Sequence, residues 1–178
     1  METSRAIYAG TFDPVHFGHL DLMKRAANIF DELIVAVYDH STPTKSILFS
    51  IEERKNMLRE SLHDVHNIHI MPFSGLLVDF AHSQNIHVLV RGLRVFSDFE
   101  FEFRQALANK RLAPDIETML LITDEKHTFL SGTTVREIAS LHGDVSSMVP
   151  ENVAQALYAR FNNSLQYGDS YNTLPQRD

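Results

Sequence analysis

The sequence predicts an α/β protein, a doubly wound, mostly parallel five-stranded sheet with helices on both faces. Three observations carry this expectation. Short β-branched or apolar runs alternate with helix-period segments along the chain. One of those runs, Leu33–Tyr38 (LIVAVY), is almost continuously apolar, as a parallel strand covered on both faces must be. Between runs, Ser50 with Glu53 and Thr134 with Glu137 have the spacing of a helix capping box.

Taken in order, Arg5–Ala9 (RAIYA) reads as the first strand, and a helix follows from Gly18 to Phe30 with Leu20, Met23, Ala27 and Phe30 on one face. Leu33–Tyr38 is the second strand and belongs mid-sheet. Ser50 opens a helix to about His63, Ile68–Met71 forms the third strand, Leu76–Ser83 a short helix and Ile86–Val90 the fourth strand. Asp98–Phe103 (DFEFEF) alternates like a strand, yet Phe99, Phe103, Ala106 and Leu107 share a helical face and good helix formers follow to Leu112. A helix is therefore expected there, with Phe101 a candidate subunit contact. Ile116–Ile122 is the fifth strand. Thr134 begins a helix that Gly143 can stop, and Pro150 suits the first turn of a last helix ending near Phe161. From Asn162 the chain is polar and aperiodic, so one domain over residues 1–161 and a mobile tail over 162–178 are expected.

Composition narrows the class. The 178 residues suit one domain, and 44% apolar with 22% charged residues excludes a disordered chain. No apolar run approaches the ~18 to 20 residues that cross a bilayer, and no leader pattern opens the chain. The absence of cysteine removes disulfides, thiolate metal sites and thiol nucleophiles, so a cytoplasmic protein is expected. Sixteen basic against 23 acidic residues, net charge -7, disfavour nucleic acid as a partner. An anionic ligand must then be held by a local cluster of cations.

Doubly wound sheets bind ligands beyond the carboxyl ends of their strands. After the first strand comes Gly10-Thr11-Phe12-Asp13-Pro14-Val15-His16-Phe17-Gly18-His19, ending where a helix begins. Gly10 permits a tight exit, Gly18 a close backbone approach, and the helix amides attract anions. The dipole supplies only ~0.3 to 1 kcal/mol when exposed, so side chains must do most of the binding. His16 and His19 can each donate to a phosphate oxygen. The loop lacks the G-x-G-x-x-G pattern of dinucleotide sites and the G-K-[ST] ending of a P-loop. His63, His66 and His69 span a helix end, a loop and a strand and read as surface rather than as a metal site.

Gly-Thr-Phe-Asp-Pro followed by His-x-Gly-His resembles the nucleotidylyltransferase branch of the HIGH-type α/β superfamily, as does Leu130-Ser131-Gly132-Thr133-Thr134-Val135-Arg136 at a later strand-to-helix turn. Within that branch, Arg91-Gly92-Leu93-Arg94, the stretch Phe49–Arg54 (FSIEER) and Pro150–Val153 resemble the pantetheine-phosphate adenylyltransferase family. The resemblance implies transfer of the adenylyl group of ATP to 4'-phosphopantetheine, with Mg2+ carried mainly on the ATP phosphates, in a cytoplasmic homohexamer. It implies that His19, Lys45 and Arg94 are catalytic. Thr11, Phe12 and His19 would contact ATP together with Gly92, Leu93, Arg94, Glu102 and the segment His127, Thr128, Phe129, Leu130, Ser131, Gly132 and Thr133. Thr11, Lys45, Leu77 and Arg91 would hold the phosphopantetheine. No protein ligand for the metal is assigned. An incoming phosphate is already ionised near neutral pH, so in-line attack on the α-phosphorus needs neither a general base nor a covalent intermediate.

The chain departs from the family pattern in five places, one of them the loop from Asp39 to Leu48, which is longer than usual. Ser46 follows Lys45 where paired lysines are common, Ala9 replaces a frequent proline, Gly132 a frequent serine, and His16 a threonine of some relatives, where its charge is expected to help. The rival functions are a sister adenylyltransferase acting on a nicotinate or nicotinamide mononucleotide, a cytidylyltransferase acting on a phosphorylated alcohol, and a nucleotide sensor without turnover. Arg91, Arg94 and Leu77 disfavour the first two, and an intact set of His19, Lys45, Arg91 and Arg94 disfavours the third.

Overall fold

A computed structural model describes residues 3–39 and 47–166. Along the chain lie β1 (Arg5–Gly10), α1 (Phe17–Ile29), β2 (Glu32–Tyr38), α2 (Ile51–Ser61), β3 (Ile68–Phe73), α3 (Leu77–Ser83), β4 (Val88–Leu93), α4 (Phe96–Leu112), β5 (Glu117–Ile122), a 3-10 turn (Glu125–His127), α5 (Gly132–Ser140) and α6 (Glu151–Gln166). All strand pairs are parallel, and the sheet order is β3-β2-β1-β4-β5. The chain steps outward from β1 to β3 and then crosses back to β4 and β5. The connections leaving β1 and β4 therefore diverge, which opens a crevice at their carboxyl ends.

Alternating side chains divide the core into two layers. Ala6, Tyr8, Leu33, Val35, Val37 and Val90 face α1, α2, α5 and α6, where Met23, Leu58, Val135 and Leu157 are buried. Ile7, Ala9, Ile34, Ala36 and Leu89 face the other way, against Val78 and Ala81 of α3 and Ala113 beyond α4. Leu33–Val37 of β2 is buried throughout, as its continuous apolar run predicts. Each such Val, Leu or Ile contributes ~1.5 to 3 kcal/mol on burial.

Several boundaries differ from the sequence expectation. β4 runs through Arg91, Gly92 and Leu93 because each pairs with β5, so these residues belong to a strand and not to the loop after it. Helix α5 starts at Gly132, capped by the Ser131 hydroxyl accepting from the Thr134 amide, so Thr134 lies inside the first turn. The helix stops with His142 at φ 60, and the Gly143 amide donates to the Ile138 carbonyl at 2.9 Å. The last helix continues past Phe161 to Gln166. Ser50 and Glu53 do form the expected capping box of α2.

DFEFEF is helical, as the formers after it predict, but its apolar face points outward. Phe96 is 92% exposed, and Phe99, Phe103, Leu107 and Leu112 are exposed too. Phe96, Phe99 and Phe103 stack at centroid distances of 6.4 and 5.8 Å. Glu102 is a buried polar side chain of this helix. His63, His66 and His69 lie on the surface.

Candidate active site

The turn after β1 is built from the inside out. Phe12 sits at φ 50, a left-handed conformation that costs a side chain-bearing residue free energy. Its ring folds back over Gly10, where a Cβ would lie 2.8 Å from the ring, and meets His19 edge-on at 5.1 Å. Gly10 thus makes room for Phe12. The buried Asp13 carboxylate accepts from the amides of Leu48 and Phe49 at 2.8 and 2.9 Å, and Arg136 of α5 donates to it and to its carbonyl. Arg54, 2% exposed, donates to the carbonyls of Phe49, Thr11 and Tyr38. One guanidinium therefore ties together the ends of β1, β2 and the start of α2.

His16 caps α1. The His19 amide donates to His16 Nδ1 and the His16 amide donates to His19 Nδ1, both at 3.3 Å, and the rings stack at 3.6 Å. Both Nδ1 atoms are acceptors, which places each ring's proton on Nε2. Burial drives the His16 pKa down to about 3, with Arg94 and His127 adding to it. Burial holds His19 well below its ordinary value, helped by His16, Arg94 and Arg91. The expected helpful charge on His16 is corrected accordingly: desolvation beside guanidinium groups keeps it neutral. With its pKa held low and Nδ1 accepting, His19 has Nε2–H to offer as a neutral donor.

Arg91 grips Glu102 with Nε and Nη2, each at 2.8 Å, and donates to the Ala9 carbonyl at 2.9 Å. Burial works against its charge, but the Glu102 contact outweighs this and raises its pKa. Arg94 holds Asp98 with Nε at 3.0 Å and Nη2 at 3.4 Å, and the Leu130 carbonyl with Nη1 at 2.7 Å. Each guanidinium keeps two N–H groups beyond these bonds.

A cavity of about 380 Å3 opens where the β1 and β4 connections diverge. His19, Phe12, Gly92, Arg91, Arg94, Glu102, Ser131 and Gly132 lie on its wall, so groups far apart in the chain meet there. The N-termini of α1 and α5 both reach it, and Gly132 lets α5 approach the first loop, since a Cβ would sit 3.2 Å from the Asp13 carbonyl. The cavity straddles the sheet rim: His19 and Gly92 lie on the α1 side, Arg91 and Glu102 toward α4.

Other expected residues lie off this wall. The Thr11 carbonyl accepts from Arg54, and Leu130 is buried with its carbonyl taken by Arg94. His127 stacks on Phe17 at 6.4 Å, and Phe129 and Thr133 are exposed. Thr128 donates to the Glu125 carbonyl, and Leu93 continues β4. Leu77 packs on the opposite core layer, the layer beneath Arg91. Lys45 and Ser46 lie outside the described residues. Sequence reasoning missed Asp98, Thr123 and Tyr8 on the wall and the clamp formed by Arg54. Only Asp98, four residues after Arg94 on a helix start, carried a readable signal.

A parallel sheet with a histidine-bearing helix start at its switch point, facing two arginines, defines the nucleotidylyltransferase class. The comparisons agree with it. A cytidylyltransferase-like family model matches residues 7–138. A phosphopantetheine adenylyltransferase of Dictyoglomus thermophilum is 51% identical over 157 residues, covering 88% of this chain and 94% of that one. Its counterpart in Caldanaerobacter subterraneus subsp. tengcongensis is 48% identical over 159 residues, covering 89% and 98%. A solved structure from Vibrio parahaemolyticus, described as a nicotinate-nucleotide adenylyltransferase, superposes with a TM-score of 0.65 over 88% of this chain and 99% of that one; at 18% identity it supports the fold alone. The chain belongs to the cytidylyltransferase-like family and, within it, to the phosphopantetheine adenylyltransferases.

Proposed function

We propose that this nucleotidyltransferase moves the adenylyl group of ATP reversibly to 4'-phosphopantetheine, giving dephospho-coenzyme A and pyrophosphate. The observation that carries the reading is the single cavity that brings His19, Arg94 and Ser131 together with Arg91 across the sheet rim. The nucleotide lies on the α1 and α5 side and the acceptor on the side of Arg91, whose core layer includes Leu77. The acceptor phosphate attacks the α-phosphorus in line, the bond to the β-phosphate oxygen breaks, and pyrophosphate departs. His19 donates its Nε2 proton in a hydrogen bond to a nonbridging α-oxygen, while Arg94 and, by resemblance, Lys45 balance the growing negative charge. Arg91, held flat by Glu102, orients the acceptor phosphate.

Asp98 and Glu102, the carboxylates on the wall, are both engaged by arginines. Mg2+ therefore belongs to the substrate, entering as MgATP, where it neutralises phosphate charge. The exposed aromatic face of α4 and Met119 and Ile122 on the edge strand β5 support a homo-oligomer. Among the described residues no helix is long and apolar enough to cross a membrane, and a cytoplasmic setting belongs to the same reading. The test is mass-spectrometric detection of dephospho-coenzyme A from purified protein, MgATP and 4'-phosphopantetheine. Product made instead from nicotinate mononucleotide, or none from any acceptor, refutes the assignment.

A further inference from the structure

The two arginines on the cavity wall are gripped in the same way. Arg91 gives Nε and Nη2 to Glu102 and Nη1 to the Ala9 carbonyl. Arg94 gives Nε and Nη2 to Asp98 and Nη1 to the Leu130 carbonyl. Asp98 and Glu102 stand four residues apart on α4, so one helix face presents both carboxylates to the crevice. The bonds to Asp98 and Leu130 leave Arg94 one N–H on Nη1 and one on Nη2 to offer a ligand.

The empty protein gains little from a carboxylate at position 98. Its pair with Arg94 joins residues one helical turn apart whose side chains are 36% and 24% exposed, a kind of ion pair that adds little to stability. Asp98 lies in the first turn of α4, yet its oxygens are turned to Arg94. For a triphosphate the carboxylate is unfavourable, since it places negative charge on the wall that must receive one. What it supplies is orientation. A planar fork gripped along one edge by a carboxylate and at Nη1 by a carbonyl holds one pose, where an unpaired arginine side chain would sample many. Leu130 directly precedes Ser131, the cap of α5, so the same grip sets Arg94 in register with that helix start.

We propose that Asp98 is a positioning residue for adenylyl transfer: it fixes the Arg94 guanidinium where charge grows in the transition state, while weakening ground-state binding of the nucleotide. This rests on the adenylyl-transfer reading above. Loss of the carboxylate then separates turnover from affinity, which a merely structural residue does not do.

The experiment compares wild type, Asp98→Asn, Arg94→Gln and the double variant. It reads kcat from dephospho-coenzyme A formation, Kd for MgATP by calorimetry, and the melting temperature without ligand. Asparagine keeps the shape and one acceptor oxygen but loses the charge and one of the two bonds. Asp98→Asn is expected to lower kcat about 10- to 100-fold, the effect of a misplaced group. Kd for MgATP stays within about twofold of wild type or tightens, because a negative charge has left the wall. The melting temperature changes little. In the Arg94→Gln background, Asp98→Asn lowers kcat by no more than about twofold further, since no guanidinium remains to be positioned. An unchanged kcat, ATP binding weakened as much as turnover, a full further loss in the Arg94→Gln background, or a loss of turnover that tracks a lower melting temperature overturns the proposal. Wild type that is active only with nicotinate mononucleotide refutes the phosphopantetheine reading alone, since the same comparison with that acceptor still judges Asp98. Wild type with no turnover on either acceptor overturns both.

Discussion

Two imidazoles share one capping box at the start of α1, and the sharing decides what His19 can do. With Nδ1 accepting the His16 amide, only Nε2–H is left to face the cavity. His19→Asn keeps an acceptor near the Nδ1 position and removes that donor. Turnover should fall about 10² to 10³-fold, the usual effect of losing one transition-state donor. The melting temperature should change little; a loss of turnover that merely tracks a loss of folding would contradict the role. His16 gives a pH prediction with a definite sign. Its folded pKa, about 3, lies below the ordinary 6.5, so its contribution to stability is intact above pH 6.5, where both states are neutral. As pH falls below that value the unfolded chain binds a proton that the folded one refuses, and stability drops by ~1.4 kcal/mol per pH unit. Urea unfolding at about pH 7.5 and about pH 5.5 should show this loss, and His16→Thr, which can still cap the helix, should show less of it. An equal loss in both proteins would remove His16 as the cause.

Among the elements, the ends of β1, β2 and β4 position the site, and Arg54 locks two of them. Its guanidinium satisfies three carbonyls in a buried place, with burial lowering its pKa against the pull of Asp13 and Asp39. Arg54→Leu leaves those acceptors unpaired and should destabilise the fold by ~3 kcal/mol or more in urea unfolding; a near-neutral substitution would show that the loops hold without it. Much at this scale was legible in the sequence. LIVAVY announced a strand buried on both faces, and Ser50 with Glu53 announced α2. Other features were hidden for physical reasons. Arg54 sits in a helix whose composition reads as solvated, and only tertiary packing turns its side chain inward. Thr134 with Glu137 has capping-box spacing, yet α5 starts at Gly132, and Ser131 caps it by accepting from the Thr134 amide. Arg91 and Gly92 looked like a loop because an arginine and a glycine interrupt the apolar pattern, and only pairing with β5 extends the strand.

At the scale of the whole molecule, the sheet order creates the site. The reversal between β1 and β4 leaves a crevice with an α1 side and an α4 side. The fold class and the identity of the first loop could be read from motifs, and so could the meeting of His19 with Arg94. The carboxylates that occupy Arg91 and Arg94, and the outward aromatic face of α4, required the assembled structure. The central claim is that this crevice catalyses by positioning and charge stabilisation alone, with a protonated Nε2 that cannot serve as a nucleophile. The stereochemical course at the α-phosphorus tests it most directly, using chiral α-thio-ATP isotopically labelled at the reacting phosphorus. Inversion of configuration is predicted for a single in-line displacement; retention would require an adenylylated enzyme and contradict the account.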